Sequence, residues 1–273
     1  MAAAFAKAEG EGRAALMPYM MAGYPDCESS LAVAAAYADS GADLIELGVP
    51  FSDPLADGPT IHAAATAALG AGATLEAALE VCASVSGRVP VVLMAYANMV
   101  LTQGESARPA AAGAPKADEF ARRAADAGAA GAIVPDLPLD EAAAGRGARA
   151  AEGLALVPLV APTTPAKRRA EICAVATGFV YVVSTVGTTG ERAELPTGLA
   201  ELVTGTKADA GDVPVAVGFG IGTPEQAAEV GRVADGVIVG SRLVRAAGEA
   251  GSPAEAGESV AEFLREARAA LAA

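Results

Sequence analysis

Short apolar runs alternate with longer helical stretches along the whole chain. The stretch 28–40 stops at Gly41 and leads into the apolar run 44–49. The stretch 118–127 stops at Gly128 ahead of 132–134, and 225–233 passes through Ala234-Asp235-Gly236 into 237–239. Glycine just past a last helical turn is the usual stop. Eight strands are predicted, at 15–21, 43–49, 90–95, 132–134, 154–160, 179–184, 213–218 and 237–239. These runs are apolar throughout rather than alternating, as in strands covered on both faces. Strands of this kind, spaced by helices, predict βαβ units and a parallel sheet. Eight units point to an α/β fold, a single (β/α)8 TIM barrel spanning 1–273 with a short helix over 1–13 in front. A doubly wound sheet is the alternative, but the first strand leads into Ala22-Gly23-Tyr24-Pro25, which lacks the glycine-rich dinucleotide fingerprint. The segment 103–116, rich in Pro, Gly and Ala and without apolar periodicity, is predicted to be a flexible insertion loop on the catalytic side.

Composition narrows the functional classes. The chain has 273 residues, is 53% hydrophobic and carries a formal net charge of −14. It has no basic run beyond Lys167-Arg168-Arg169, so no nucleic-acid partner is expected. An acidic molecule repels anions at long range, and any phosphate site must be built locally from backbone N–H groups. Cys27, Cys82 and Cys173 are widely spaced and are expected to be buried, inert thiols in a reducing compartment. Without a run of about 18 apolar residues or a signal-peptide charge pattern, the expected location is cytoplasmic, with no membrane partner.

In a barrel of this kind chemistry sits at the C-terminal strand ends. The residues there are Glu46, with Asp53 and Asp57 in a loop stiffened by Pro50, Pro54 and Pro59; Tyr96 and Asn98; Asp136; Tyr181 and Ser184, then Thr188-Thr189-Gly190; Gly218-Phe219-Gly220-Ile221-Gly222; and Gly240-Ser241. The last two groups suit phosphate, because glycine-rich turns and a helix start expose N–H groups after strands seven and eight. Metal and Schiff-base chemistry lack candidates. His62 is the single histidine, and Lys7, Lys116, Lys167 and Lys207 fall outside the strands, so no metal site is expected. Glu46, in apolar surroundings, suits a proton shuttle. From spacing alone Asp57 fits two roles, acceptor for a substrate N–H or Asx turn before Gly58, and Asp53 fits a cap at Pro54 as well as chemistry.

The run Glu46-Leu-Gly-Val-Pro-Phe-Ser-Asp-Pro-Leu-Ala-Asp-Gly-Pro-Thr-Ile61 resembles the signature of the tryptophan synthase α subunit, the indole-3-glycerol phosphate lyase family. Further stretches match in order: residues 18–26, Met94-Ala-Tyr-Ala-Asn98, Pro135-Asp-Leu-Pro138, Ala161-Pro-Thr163, 184–190, Gly218-Phe-Gly220 and Gly240-Ser241. The resemblance implies a lyase of tryptophan biosynthesis, cleaving indole-3-glycerol phosphate to indole and glyceraldehyde 3-phosphate. It implies no cofactor in this chain, and a β-subunit partner that carries PLP in an α2β2 heterotetramer. A free-standing lyase releasing indole is the alternative. By motif, Glu46, Asp57 and Tyr181 are catalytic. Tyr19, Met94, Tyr96, Ile133, Thr189 and Phe219 bind substrate, while Gly190, Gly218, Gly220, Gly240 and Ser241 hold phosphate. Pro50, Asp53 and Pro54 face the partner, and 184–192 resembles a mobile active-site lid. Two features depart from the family pattern: the length of 103–116, and Thr188 where a small apolar residue is commoner.

Overall fold

The computed structural model describes residues 1–102, 116–141, 153–184, 197–218 and 220–273. Most of the predicted insertion and lid, with Thr189, Gly190 and Phe219, lie outside the described residues.

Nine parallel strands are present among the described residues. They are β1 (Ala15–Met21), β2 (Ile45–Gly48), β3 (Val91–Met94), β4 (Gly131–Ile133), β5 (Ala155–Leu156), β6 (Leu159–Val160), β7 (Val180–Val183), β8 (Val215–Gly218) and β9 (Gly236–Val239). Their order is β5-β4-β3-β2-β1-β9-β8-β7-β6. The predicted fifth strand at 154–160 is therefore two short strands. Pro158 separates them because it has no N–H to give a ladder. The first half pairs with β4 and the second with β7. Val157 N–H donates to Ala132 O at 3.2 Å, and Pro158 O accepts from Tyr181 N–H at 2.9 Å. One segment thus bonds to both ends of the sheet and closes the (β/α)8 barrel.

Eleven helices are described: α1 (Ala2–Gly10), α2 (Cys27–Asp39), α3 (Pro59–Gly70), α4 (Leu75–Val85), α5 (Ala97–Thr102), α6 (Lys116–Asp126), α7 (Ala166–Cys173), α8 (Leu199–Ala210), α9 (Pro224–Gly231), α10 (Ser241–Glu249) and α11 (Pro253–Leu271). Local chemistry sets their ends. Asp26 caps α2 by accepting from Ser29 N at 2.8 Å, and Thr223 with Gln226 forms a capping box on α9. Gly41 and Gly128, the predicted stops, have φ of 91° and 81°. No single described helix is long and apolar enough to cross a membrane.

Each strand is apolar on both faces for two different reasons. Leu16, Met20, Ile45, Leu47, Val91, Leu93, Val215 and Val217 point outward into the layer beneath the helices. Met17, Leu44, Val92, Ile133, Phe179, Ala216 and Ile238 point inward, and α1 seals the N-terminal end of the barrel with Phe5, 5.8 Å from Phe179. The inward rows continue, two residues at a time, toward the C-terminal ends, where they become Tyr19, Glu46, Met94 and Tyr181.

The cysteine expectation holds for two of three. Cys82 and Cys173 are buried, but Cys27 is exposed, because it occupies the first turn of α2 where the helix meets solvent.

Candidate active site

A cavity opens at the C-terminal end of the barrel, with about 640 Å³ of empty space including its mouth. Nine sequence-predicted residues meet on its wall: Tyr19, Glu46, Asp57, Met94, Ile133, Tyr181, Gly220, Gly240 and Ser241. Ala56, Ile61, Pro135, Leu159, Ile221 and Ile238 complete it and were not picked out as site residues from the sequence. Ile238 and Leu159 could have been found by strand parity, since the inward rows end on them.

Glu46 reaches this wall because Ile45 and Leu47 take the outward positions of β2. The residue is 3% exposed, and its Oε2 has no hydrogen-bond partner among the described residues. Burial, reinforced by the charge of Asp57, pushes its carboxyl up to about 8. Asp57 is half-buried at the start of α3. Burial raises it too, but only to about 6, because the Tyr96 hydroxyl donates to it and His62, exposed on α3, adds favourable charge. At neutral pH the first carboxyl is therefore mostly neutral and the second mostly ionised.

Two tyrosines flank these groups, each seated over a glycine. The Tyr19 hydroxyl lies where a Cβ at Gly48 would be, and the Tyr181 hydroxyl where a Cβ at Gly218 would be. Any side chain at either position would push a ring into the cavity. Gly218 thus sits beneath Tyr181 in β8, and its carbonyl accepts from Ser184 N at 3.2 Å. Gly220, at φ +86°, and the Gly240-Ser241 start of α10 line the cavity beside it. A helix start offers N–H groups that have no intrahelical acceptor.

Tyr96 does not line the cavity. Its hydroxyl accepts from Ala56 N at 3.1 Å and donates to Asp57, and its ring stacks on Phe51 at 5.1 Å. Asp136 is drawn into local structure, accepting from Ala97 N at 2.7 Å at the start of α5. On the outer side of the loop Asp53 is exposed and takes the Ser52 hydroxyl at 2.5 Å. Pro54 is partly exposed, whereas Pro50 is buried against its own chain and offers no surface. Leu55, beside them, is 84% exposed, the most exposed of the large apolar residues described.

An apolar cavity lined by two carboxyls of different character and by a helix start suits an aromatic phosphate ester that reacts by proton transfer. The comparisons agree. The family model described as tryptophan synthase alpha chain matches residues 5–272. The chain belongs to the tryptophan synthase alpha chain family. Relatives with that name include one from Prochlorococcus marinus, 46% identical over 88% of this chain and 84% of its own. Another, from Roseiflexus castenholzii, is 45% identical over 96% of both. The chain also matches 34% of a longer tryptophan synthase from Saccharomyces cerevisiae at 43% identity. In structure it resembles a chain of Mycobacterium tuberculosis tryptophan synthase, with TM-score 0.88 and 38% identity over 99% of this chain and 97% of that one. As a member of this family it is a lyase of tryptophan biosynthesis that cleaves indole-3-glycerol phosphate. It works in a complex with a β subunit, where the PLP resides. The free-standing alternative is not favoured.

Proposed function

We propose that Glu46 carries one proton around a closed cycle while Asp57 holds the indole. Neutral Glu46 gives its proton to indole C3, and the ring becomes an indoleninium cation. Asp57, ionised, accepts the ring N–H and offsets the positive charge. Glu46, now a carboxylate, takes the proton from the glycerol hydroxyl on the carbon attached to C3. The O–H electron pair becomes the aldehyde C=O, and the C–C pair returns to the ring. Indole leaves with hydrogen on C3, glyceraldehyde 3-phosphate leaves, and Glu46 is protonated again. The ring is its own electron sink, so the step needs neither Schiff base nor metal.

The observation that carries this reading is that two carboxyls share one apolar cavity in different settings, Glu46 buried with Oε2 unpartnered among the described residues and Asp57 half-buried beside Tyr96. Tyr181 and Met94 wall the ring, and the Gly220 and Gly240-Ser241 turns receive the phosphate, with Gly190 as a further donor by motif. Turnover of Glu46→Gln and Asp57→Asn, with glycerol 3-phosphate affinity measured beside it, tests the assignment. Both variants should keep that affinity within about threefold. Glu46→Gln turning over within about tenfold of the parent would sink the shuttle.

The outer side of the same loop faces the β subunit in an α2β2 assembly, with Asp53, Pro54 and Leu55 as its contact. Leu55, 84% exposed, gives that face an apolar side chain for a partner to cover. Phe51 stacked on Tyr96, and Tyr96 bonded to Asp57, give a physical route from that surface to the site. Leu55→Asp should weaken β-subunit association by at least about tenfold, read by titration calorimetry, and leave basal cleavage intact. We also place the protein in the cytoplasm, a reading supported by its three free thiols.

A further inference from the structure

The first barrel strand carries a polar atom that the cycle above leaves unused. Tyr19 is 5% exposed, and its hydroxyl has no hydrogen-bond partner among the described residues. Buried hydroxyls almost always have one. The other orphaned buried side-chain atom described is Glu46 Oε2. The two residues are register partners, Tyr19 in β1 and Glu46 in β2, and both line the cavity. Gly48, two residues past Glu46 on the same face, is the position over which the Tyr19 hydroxyl is held. The hydroxyl is therefore fixed at the cavity end of β2, beside the carboxyl but not bonded to it.

Two orphaned atoms that face one apolar cavity without bonding each other await a third polar group. The substrate has three kinds. Its ring N–H goes to Asp57 and its phosphate to the glycine turns. That leaves the glycerol chain, whose hydroxyl next to indole C3 must lie against Glu46 to lose its proton. We propose that Tyr19 is a further catalytic residue, whose hydroxyl donates a hydrogen bond to that glycerol oxygen while Glu46 removes the oxygen's proton. This rests on the proton cycle given above.

The electron count is unchanged by the added contact. The oxygen loses its proton to Glu46, its O–H pair becomes the C=O bond, and the C–C pair returns to the indole. The phenolic proton is not transferred. Its bond strengthens as negative charge builds on the oxygen, so it lowers the barrier more than it tightens the ground state. Burial, then the charges of Asp57 and Glu46, hold the Tyr19 phenol well above its ordinary range, so it remains a donor throughout the working pH range.

Tyr19→Phe, which keeps the ring, tests this. The expected result is a fall of about 100-fold in kcat with KM within about threefold of the parent. The melting temperature should stay level or rise, because no partner is lost in the free chain. A merely structural hydroxyl would do the reverse, lowering the melting temperature and sparing kcat. Unchanged kcat, or a loss confined to KM, would overturn the proposal. Glu46→Gln run in the same assay separates the two levels. If it is inactive while Tyr19→Phe is fully active, only the Tyr19 role fails; if it is active, the underlying cycle fails.

Discussion

Asp43, just ahead of β2, and Glu46, three residues on and within it, are both buried acidic side chains. Asp43 is saturated. The Arg13 guanidinium reaches its two oxygens at 2.5 and 2.8 Å, and Leu16 N–H adds a bond of 2.8 Å. Arg268 stands 3.6 Å away and also donates to Gly41 O, tying α11 to the same corner. Glu46, inside the strand and on the barrel's inward face, has an oxygen with no partner among the described residues and lines the cavity. The segment 43–46 thus carries one acidic group whose bonding is complete and one whose bonding is left for the substrate. Stability and chemistry are separated along a distance of about 10 Å, and substitutions at the two ends should fail in different ways.

The largest effect belongs to the open end. Glu46→Gln should lower kcat by at least about 10³-fold, since it removes both donor and acceptor from the cycle. Its urea midpoint at pH 6 should not fall. If folding were lost along with activity, the contrast with Asp43 would collapse. The next effect belongs to the closed end. Asp43→Ala leaves the buried Arg13 with only the partly exposed Glu11 and the Ala14 carbonyl as partners, and should cost about 3 kcal/mol in urea unfolding. The folded fraction should keep the parent kcat. A drop in kcat for that fraction would show that the ends are not separate.

The third effect is a pH dependence. The Glu46 carboxyl is raised from its ordinary 4.5 to about 8 in the folded chain. Between those values the folded state holds a proton that the unfolded state has released. That contribution to stability is complete below about 4.5 and is lost as pH rises through about 8. The parent should therefore lose stability relative to Glu46→Gln across this window, by up to ~1.4 kcal/mol per pH unit. Parallel curves would contradict the desolvated carboxyl. The smallest effect concerns Tyr96, whose hydrogen bond lowers Asp57. Tyr96→Phe should move the acid limb of the kcat profile upward from about 6, with kcat at pH 8 changed by less than about threefold.

Which of these features the sequence could show depends on how local they are. The strands and helix stops were legible because glycine placement and apolar runs are local signals, and Gly41 and Gly128 end α2 and α6 as expected. The break in the fifth strand was also written locally, in Pro158, but an apolar run from 154 to 160 hides it. Glu46 was legible by parity and apolar setting. Asp53 and Asp57 were not distinguishable by spacing, because what separates them is the direction each takes around the loop: Asp57 toward Tyr96 and the cavity, Asp53 toward solvent. The Arg13–Asp43 pair joins residues 30 apart, and the seating of Tyr19 over Gly48 joins neighbouring strands. Neither leaves a trace at helical or strand spacing. Pro50 shared its loop with exposed residues and so read as surface, yet the chain buries it.

Cleavage by this cycle requires Glu46 to be neutral when substrate arrives. Carbon-13 NMR of side-chain carboxyls, with Glu46 assigned by its absence in Glu46→Gln, measures that directly in the free chain. One glutamate carboxyl should titrate near 8 and vanish in the variant. A Glu46 carboxyl that titrates near its ordinary 4.5 would contradict the cycle, because no proton would then be in place for indole C3 at neutral pH.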